Sequence, residues 1–158
     1  KERISIKETI EKTLSIFHSA MKNNNITIVS NIKDDFYIDG FQNQLIQAII
    51  NILNNSKDAF NDNEIKERFI FIESQNVLNK QIITIKDNAG GIKDEIIHKI
   101  FEPYFTTKHK SIGTGIGLSM VHQIVTKHHN ATIEVENETY EYEQNKYVGA
   151  CFKIEFEK

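Results

Sequence analysis

Five of the seven glycines of this 158-residue chain, and its only proline, fall between residues 87 and 118. Glycine loses more conformational freedom on folding than any other residue. It therefore concentrates where backbone must turn sharply or approach a ligand closely. The stretch opens with Asp87-Asn88-Ala89-Gly90-Gly91-Ile92 and closes with Gly113-Thr114-Gly115-Ile116-Gly117-Leu118. An acidic residue at one glycine turn, a triple-glycine turn at another and a segment between them point to a nucleotide pocket with a lid.

Outside that stretch the chain reads as regular elements. Ser5-Ile6-Lys7-Glu8 has the form of a capping box. Ile6, Ile10, Leu14, Phe17 and Met21 recur behind it at helical spacing, and Asn23-Asn24-Asn25 ends the helix. Ile26, Ile28 and Phe36-Tyr37-Ile38 read as the two short strands of a hairpin. A second helix is expected from about Gln42 to Phe60, then a charged connector from Asn61 to Arg68. Phe69-Ile70-Phe71-Ile72 and Ile82-Ile83-Thr84-Ile85 read as strands joined near Asn79-Lys80, and their continuous apolar character predicts cover on both faces. A short helix is expected at about Asp94 to Ile100. Another is expected from Gly117 to Lys127, with Leu118, Val121, Ile124 and Val125 on one face. In the last strand Val148, Ala150, Phe152, Ile154 and Phe156 alternate with Gly149, Cys151, Lys153 and Glu155, setting an apolar face against helices. The fold class is α+β: a two-layer α/β sandwich, with a mixed, mostly antiparallel sheet and helices on one face.

Bulk properties exclude several functions. A net charge of −3 with no basic stripe argues against a nucleic-acid partner. No apolar run approaches the roughly 20 residues that span a bilayer, so no direct membrane contact is expected of this fragment. The start is charged and lacks an apolar h-region, so no signal peptide is expected within these residues. The first residue is Lys1 rather than Met, so the chain is expected to be an excised single domain over residues 1–158. The lone Cys151 has no partner for an internal disulfide, which fits a reducing compartment.

The second helix is strongly apolar, yet Gln44, Asn51, Asn55 and Asp58 form a polar line along it. Asn and Asp compete with the helical backbone for hydrogen bonds, so such a line needs a reason. It reads either as a solvent-facing stripe or as a pocket wall whose carboxamide oxygen ligates Mg²⁺ beside phosphates. Asp87 stands where the strand Ile82–Ile85 enters a loop; its carboxylate suits an exocyclic amine such as adenine's. The alternative is an ordinary Asp-Asn turn. The turn Gly113–Leu118 leads into a helix N-terminus, which favours phosphate. It carries neither a Walker Gly-Lys-Ser/Thr nor the Rossmann glycine spacing. Between the turns, Phe101 and Phe105 read as anchors of a loop that brings Lys108, His109 and Lys110 over phosphates; the alternative is a solvated loop with a few basic residues.

Together these segments resemble the ATP-binding catalytic domain of sensor histidine kinases. That family belongs to the GHKL superfamily (Bergerat ATP-binding fold), with type II topoisomerases, heat-shock chaperones and mismatch-repair ATPases. Residues 51–60 resemble its N box, Asp87–Ile92 its first glycine box, Ile100–Lys108 its F box and Gly113–Leu118 its second glycine box. The resemblance implies ATP and Mg²⁺ as ligands. Asn55 is implied as the Mg²⁺ ligand with Asn51 nearby, and Lys108 as a charge stabiliser; Asn51, Asn55 and Lys108 form the implied catalytic set. Asp87 is implied to bond the adenine amine, Gly91 to leave room for the base and Asp58 to support that end. Ile92, Phe101 and Thr107 are implied to line the nucleotide site. Residues 101 to 114 are implied to form the ATP lid, Gly115, Gly117 and Leu118 to offer backbone to the phosphates, and Gly113, Thr114 and Ile116 to belong to the same nucleotide site. Three departures stand out: Ala89 replaces a glycine, His129-Asn130 replaces a commoner glycine pair, and the lid is short.

In the hydrolysing relatives the residue four before the Mg²⁺ asparagine is usually a glutamate that activates water. Here it is Asn51, and a carboxamide is no general base near neutral pH. Transfer to another nucleophile is therefore expected, not hydrolysis. None of His18, His98, His109, His122, His128 and His129 sits in the acidic helix-hairpin context of the family's phosphoacceptor. The implied partners are the dimerisation and histidine-phosphotransfer helices of a parent kinase and the receiver domain of a response regulator. The isolated domain is expected to be monomeric and cytoplasmic, its parent free to be anchored in an inner membrane. A serine kinase of the anti-sigma type and a binding module that has lost transfer are the competing readings.

Overall fold

A computed structural model describes residues 1–103, 105 and 117–157. Strand β1 (Glu2–Ser5) leads into helix α1 (Ile6–Asn23), β2 (Ile26–Ile32), β3 (Tyr37–Gly40) and helix α2 (Gln42–Asp62). Strands β4 (Arg68–Val77) and β5 (Lys80–Asp87) follow, then helix α3 (Gly117–Gln123), β6 (Thr132–Tyr142) and β7 (Asn145–Glu157). The main sheet has five strands in the order β2-β4-β5-β7-β6. β2 runs parallel to β4, and the remaining neighbours are antiparallel. α1, α2 and α3 pack against one face of that sheet, giving the expected two-layer sandwich.

Local sequence explains the helices. Ser5 Oγ accepts from Glu8 N–H at 3.1 Å, as the capping-box spacing predicts. The Asp35 carboxylate accepts from the same hydroxyl and from Lys7 N–H, tying the loop before β3 to the start of α1. α1 ends at Asn24, and Asn25 takes a left-handed φ of 54°, a conformation asparagine tolerates. On α2, Leu45, Ile49, Ile52, Leu53 and Phe60 are fully buried and form its core face.

The hairpin expected from Ile26–Ile28 and Phe36–Ile38 does not form. β2 pairs in parallel with β4, and β3 pairs with β1 in a separate two-stranded sheet. Alternation marks a strand but does not choose its partner. Here Asp35, bonded to the start of α1, carries β3 toward β1, while Ile26 is buried in the main core.

β4 and β5 form the predicted antiparallel pair, longer at both ends. Their inward residues Ile70, Ile72, Ile83 and Ile85 are buried against the helices. Among the described residues, the second face is covered by rings and not by a helical layer. Phe69 and Phe71 meet Tyr142 at centroid distances of 5.1 and 4.9 Å, and Tyr140 and Tyr147 complete the cluster. The inward face of β7 follows the predicted alternation, with Ala150, Phe152, Ile154 and Phe156 buried and Val148 exposed at its end.

The helix expected at Asp94–Ile100 is reduced to one 3₁₀ turn at Ile97–Lys99. Only Ile100 of that segment is buried, so it has no apolar face to hold a longer helix. The helix expected over Gly117–Lys127 is α-helical to Gln123 and widens into a π turn at Ile124–His128.

His129 explains that end. Its Nδ1 lies 2.8 Å from the Ile124 carbonyl and donates to it; its Nε2 accepts from Phe41 N–H at 3.0 Å. The ring thus caps the start of α2, where Phe41 offers no capping side chain. A Cβ at Gly40 would lie 2.5 Å from His129 Cδ2, so Gly40 leaves the space for the ring. Asn130 takes the positive φ of 51° that a glycine would serve.

The bond from Phe41 requires the neutral imidazole, and burial lowers the pKa of His129 from its ordinary value, against the opposing pull of the Ile124 bond. A depressed folded-state pKa means stability that is full above about pH 6.5 and lost as pH falls through the lower folded value. His129→Ala should therefore lower stability in urea unfolding at pH 8 and by less at pH 5. An equal loss at both pH values would rule out the bond from Phe41 to the neutral ring.

Candidate functional site

The end of β5, the middle of α2 and the start of α3 converge. Asp87 is the last residue of β5 and is 4% exposed. Its Oδ1 accepts from the N–H groups of Ala89 and Ala150 at 3.0 and 3.1 Å. Its Oδ2 accepts from Ser56 Oγ on α2 at 2.6 Å. A carboxylate offers about four acceptor positions. Oδ1 is thereby filled, and Oδ2 retains one position for a further donor. Burial pushes the carboxyl pKa up, against the opposing pull of the Ser56, Ala89 and Ala150 bonds.

The turn after Asp87 is built by side chains from elsewhere. Asn88 is buried; its Oδ1 accepts from Phe69 N–H and its Nδ2 donates to the Glu67 carbonyl. Asn63 Nδ2 donates to the Ala89 carbonyl at 2.7 Å. Gly90 and Gly91 have φ of 104° and 85°, which only glycine adopts readily. Asn137 of β6 clamps Ile92, accepting from its N–H at 2.8 Å and donating to its carbonyl at 2.6 Å. The backbone of Ile92 is therefore already engaged, and its side chain packs on the core.

On α2, Asn55 Nδ2 donates to the Asn51 carbonyl at 2.9 Å, which leaves its Oδ1 as the acceptor. Asn51 Nδ2 is buried with no hydrogen-bond partner among the described residues. A Cβ on Gly117 would stand 3.9 Å from Asn51 Oδ1, so α3 begins beside this asparagine. A leftover carboxamide oxygen and an orphaned buried amide fit a polar ligand bringing a cation and phosphate oxygens. Asp58 is half-buried, with its Oδ1 3.9 Å from Lys57 Nζ. Gln44, at the far end of the polar line, is taken by His128.

Of the other expected site residues, Leu118 is half-buried at the start of α3. Phe101 packs against His122 and Phe152 at 5.5 and 6.3 Å, and Phe105 packs on the same core, so both serve as the predicted anchors. Thr107, Lys108, Gly113, Thr114, Gly115 and Ile116 lie outside the described residues.

Sequence reading did not single out Ser56, Asn137, Tyr140 or Gly149 as site residues. Ser56 and Asn137 looked like ordinary polar residues, and their targets lie 31 and 45 positions away. Gly149 has no positive φ; its reason is space, since a Cβ there would lie 1.7 Å from the Asp87 carbonyl oxygen. Its isolation from the other glycines was the one signal available.

Known proteins agree with this arrangement. Residues 40–158 match the family described as histidine kinase-, DNA gyrase B-, and HSP90-like ATPase. Sporulation kinase A of Bacillus subtilis is 32% identical over 159 aligned residues, covering 100% of this chain and 24% of that protein. The chain thus spans about a quarter of that curated relative. The catalytic domain of the histidine kinase ThkA superposes with a TM-score of 0.80 at 26% identity, covering 100% of this chain and 99% of that one. A structure of ThkA in complex with the response regulator protein TrrA shares the fold, at TM-score 0.72 and 23% identity over 99% of this chain and 41% of that one. No described helix is long and apolar enough to cross a membrane. A buried acceptor carboxylate beside a helix of asparagines, on this sheet and in this motif order, places the chain in the histidine kinase-, DNA gyrase B- and HSP90-like ATPase family, as a catalytic domain of the sensor histidine kinase type.

Proposed function

We propose that this chain binds Mg²⁺-ATP and passes the γ-phosphoryl group to a histidine on the dimerisation helices of a sensor kinase. A response regulator aspartate then takes the group from that histidine. The observation that carries the reading is the Asp87 carboxylate, held by three donors and left with one acceptor position on Oδ2. That position suits the adenine amine, and Gly91 is proposed to let the base lie against backbone, its positive φ and the Asn137 side chain 2.9 Å from where a Cβ would stand both requiring glycine. Asn55 Oδ1 supplies a neutral oxygen for Mg²⁺, with Asn51 alongside. Mg²⁺, when bound, neutralises phosphate charge as the transferred group leaves. Lys108 and the glycine turn from Gly113 are proposed to act on the same charge.

In the transfer the bond between the γ-phosphorus and its bridging oxygen breaks and a phosphorus–nitrogen bond to imidazole forms. ADP leaves with the bonding electron pair, and the imidazole proton passes to solvent. Asn51 has no basic lone pair with which to activate water, which protects ATP from hydrolysis while it waits. The complex of ThkA with TrrA supports a receiver domain as the downstream partner. The dimerisation helices are proposed as the upstream partner, in a cytoplasmic setting.

Calorimetric titration with ATP, with and without Mg²⁺, tests the reading. Binding that tightens with Mg²⁺ is expected, and Asn55→Ala should abolish most of the tightening while keeping the fold. Adding a separate dimerisation domain should then yield phosphohistidine on that domain and none on this chain. Mg²⁺-independent binding that Asn55→Ala leaves unchanged would favour a binding module that has lost transfer.

A further inference from the structure

The Asp87 carbonyl meets a side chain that no nucleotide-binding motif contains. The ladder between β5 and β7 ends at Lys86 opposite Cys151. Beyond that pair, the Asp87 carbonyl oxygen accepts from the hydroxyl of Tyr140 on β6 at 2.6 Å. The hydroxyl thus takes the place of the next ladder bond. Gly149 makes this possible, because a Cβ on the intervening strand would lie 1.7 Å from that carbonyl oxygen.

The ring of Tyr140 is itself held. Lys86 Nζ lies 4.1 Å from its centroid, and Phe71 and Tyr147 pack at 5.7 and 6.1 Å. Burial, and then the nearby Asp87 carboxylate, push the phenol pKa well up, so the hydroxyl remains a donor at every ordinary pH. Tyr140 fixes one side of the Asp87 residue while Ser56, Ala89 and Ala150 fix its carboxylate. A peptide plane held on the β7 side leaves the carboxylate a single direction in which to offer its remaining acceptor position.

We infer that Tyr140 is a positioning residue for base recognition, acting through the Asp87 backbone to aim the carboxylate at the amine of an aminopurine. This rests on the proposed nucleotide site. It predicts that the outer, aromatic face of the sheet contributes to base affinity without touching the base.

Tyr140→Phe removes the hydroxyl and keeps the ring in its cluster. Its affinity for ATP is expected to fall about threefold to tenfold, the worth of one hydrogen bond. Purine riboside triphosphate, which lacks the 6-amino group, is expected to bind wild type and variant equally. A general loosening of the domain would weaken both nucleotides alike, and that result would overturn the inference, as would unchanged ATP affinity. Without nucleotide, the ¹³C carboxyl resonance of Asp87 is expected to move in the variant while the melting temperature stays within a few degrees. An unmoved resonance would also overturn it. If the wild-type chain binds no ATP, the nucleotide reading itself fails and takes the positioning role with it. Wild-type binding with an indifferent Tyr140→Phe removes the positioning role alone.

Discussion

Asp87→Asn is expected to fold as well as the parent chain and to bind ATP about 10- to 100-fold more weakly, the cost of losing a hydrogen bond to a charged acceptor. The asparagine fits the existing network. Its Oδ1 accepts from Ala89 and Ala150 N–H as before, and its Nδ2 donates to Ser56 Oγ, which can act as acceptor. Toward the base, however, an amide donor now faces an amine donor.

Stability should move in the opposite direction to affinity. Burial raises the pKa of Asp87, so ionising the carboxyl costs more in the folded state than in the unfolded chain. Its contribution is fully present below about pH 4 and is lost as pH rises through the folded value. Asp87→Asn removes that loss, so the variant should match or exceed wild type at pH 7 and the difference should close in acid. Thermal melts across pH, beside the calorimetric titration, check both halves. A variant that binds ATP normally, or that is much less stable at pH 7, would contradict this account of the carboxylate.

Gly149→Ala should have the largest effect on stability. The added Cβ would lie 1.7 Å from the Asp87 oxygen and 2.4 Å from its carbonyl carbon, both backbone atoms of a central strand. β7 and the end of β5 must separate, which also strains the bonds from Ala150 N–H and Tyr140 to Asp87. Overpacking costs about 1–3 kcal/mol and occasionally more, and a clash with backbone belongs at the upper end; denaturant unfolding should show it together with weaker ATP binding. Gly117→Ala is the control. Its Cβ would meet Asn51 Oδ1 at 3.9 Å, an ordinary contact, so the fold should accept it. Equal stability of Gly149→Ala and wild type would mean that β7 can shift freely.

Both experiments separate residues that were visible along the chain from residues that were not. Asp87, Gly91, Asn51 and Asn55 carry local signals: a carboxylate at a strand end, a glycine pair, and a polar line on an apolar helix. Each signal is confined to a few neighbouring residues, which is why it survives in one dimension. Helix α1 with its Ser5 cap, helix α2 and the alternating strand β7 were legible for the same reason, since periodicity and capping are local.

Partner choice is not local. That β2 joins β4 in parallel and β3 joins β1 was decided by the Asp35 bond to α1 and by burial of Ile26, neither of which leaves a mark in the spacing. Ser56, Asn137 and Tyr140 act across 31, 45 and 53 positions, so only folding shows what they hold. His129 is the same case: its departure from a glycine pair is written in the sequence, but its bonds to Phe41 and Ile124 are not. The sequence by itself determined the motif order, the two-layer class and the groups proposed to face a nucleotide. The tertiary structure decided how the Asp87 carboxylate is held, because its donors from α2, β7 and the following turn meet only when the sheet and helices close around it.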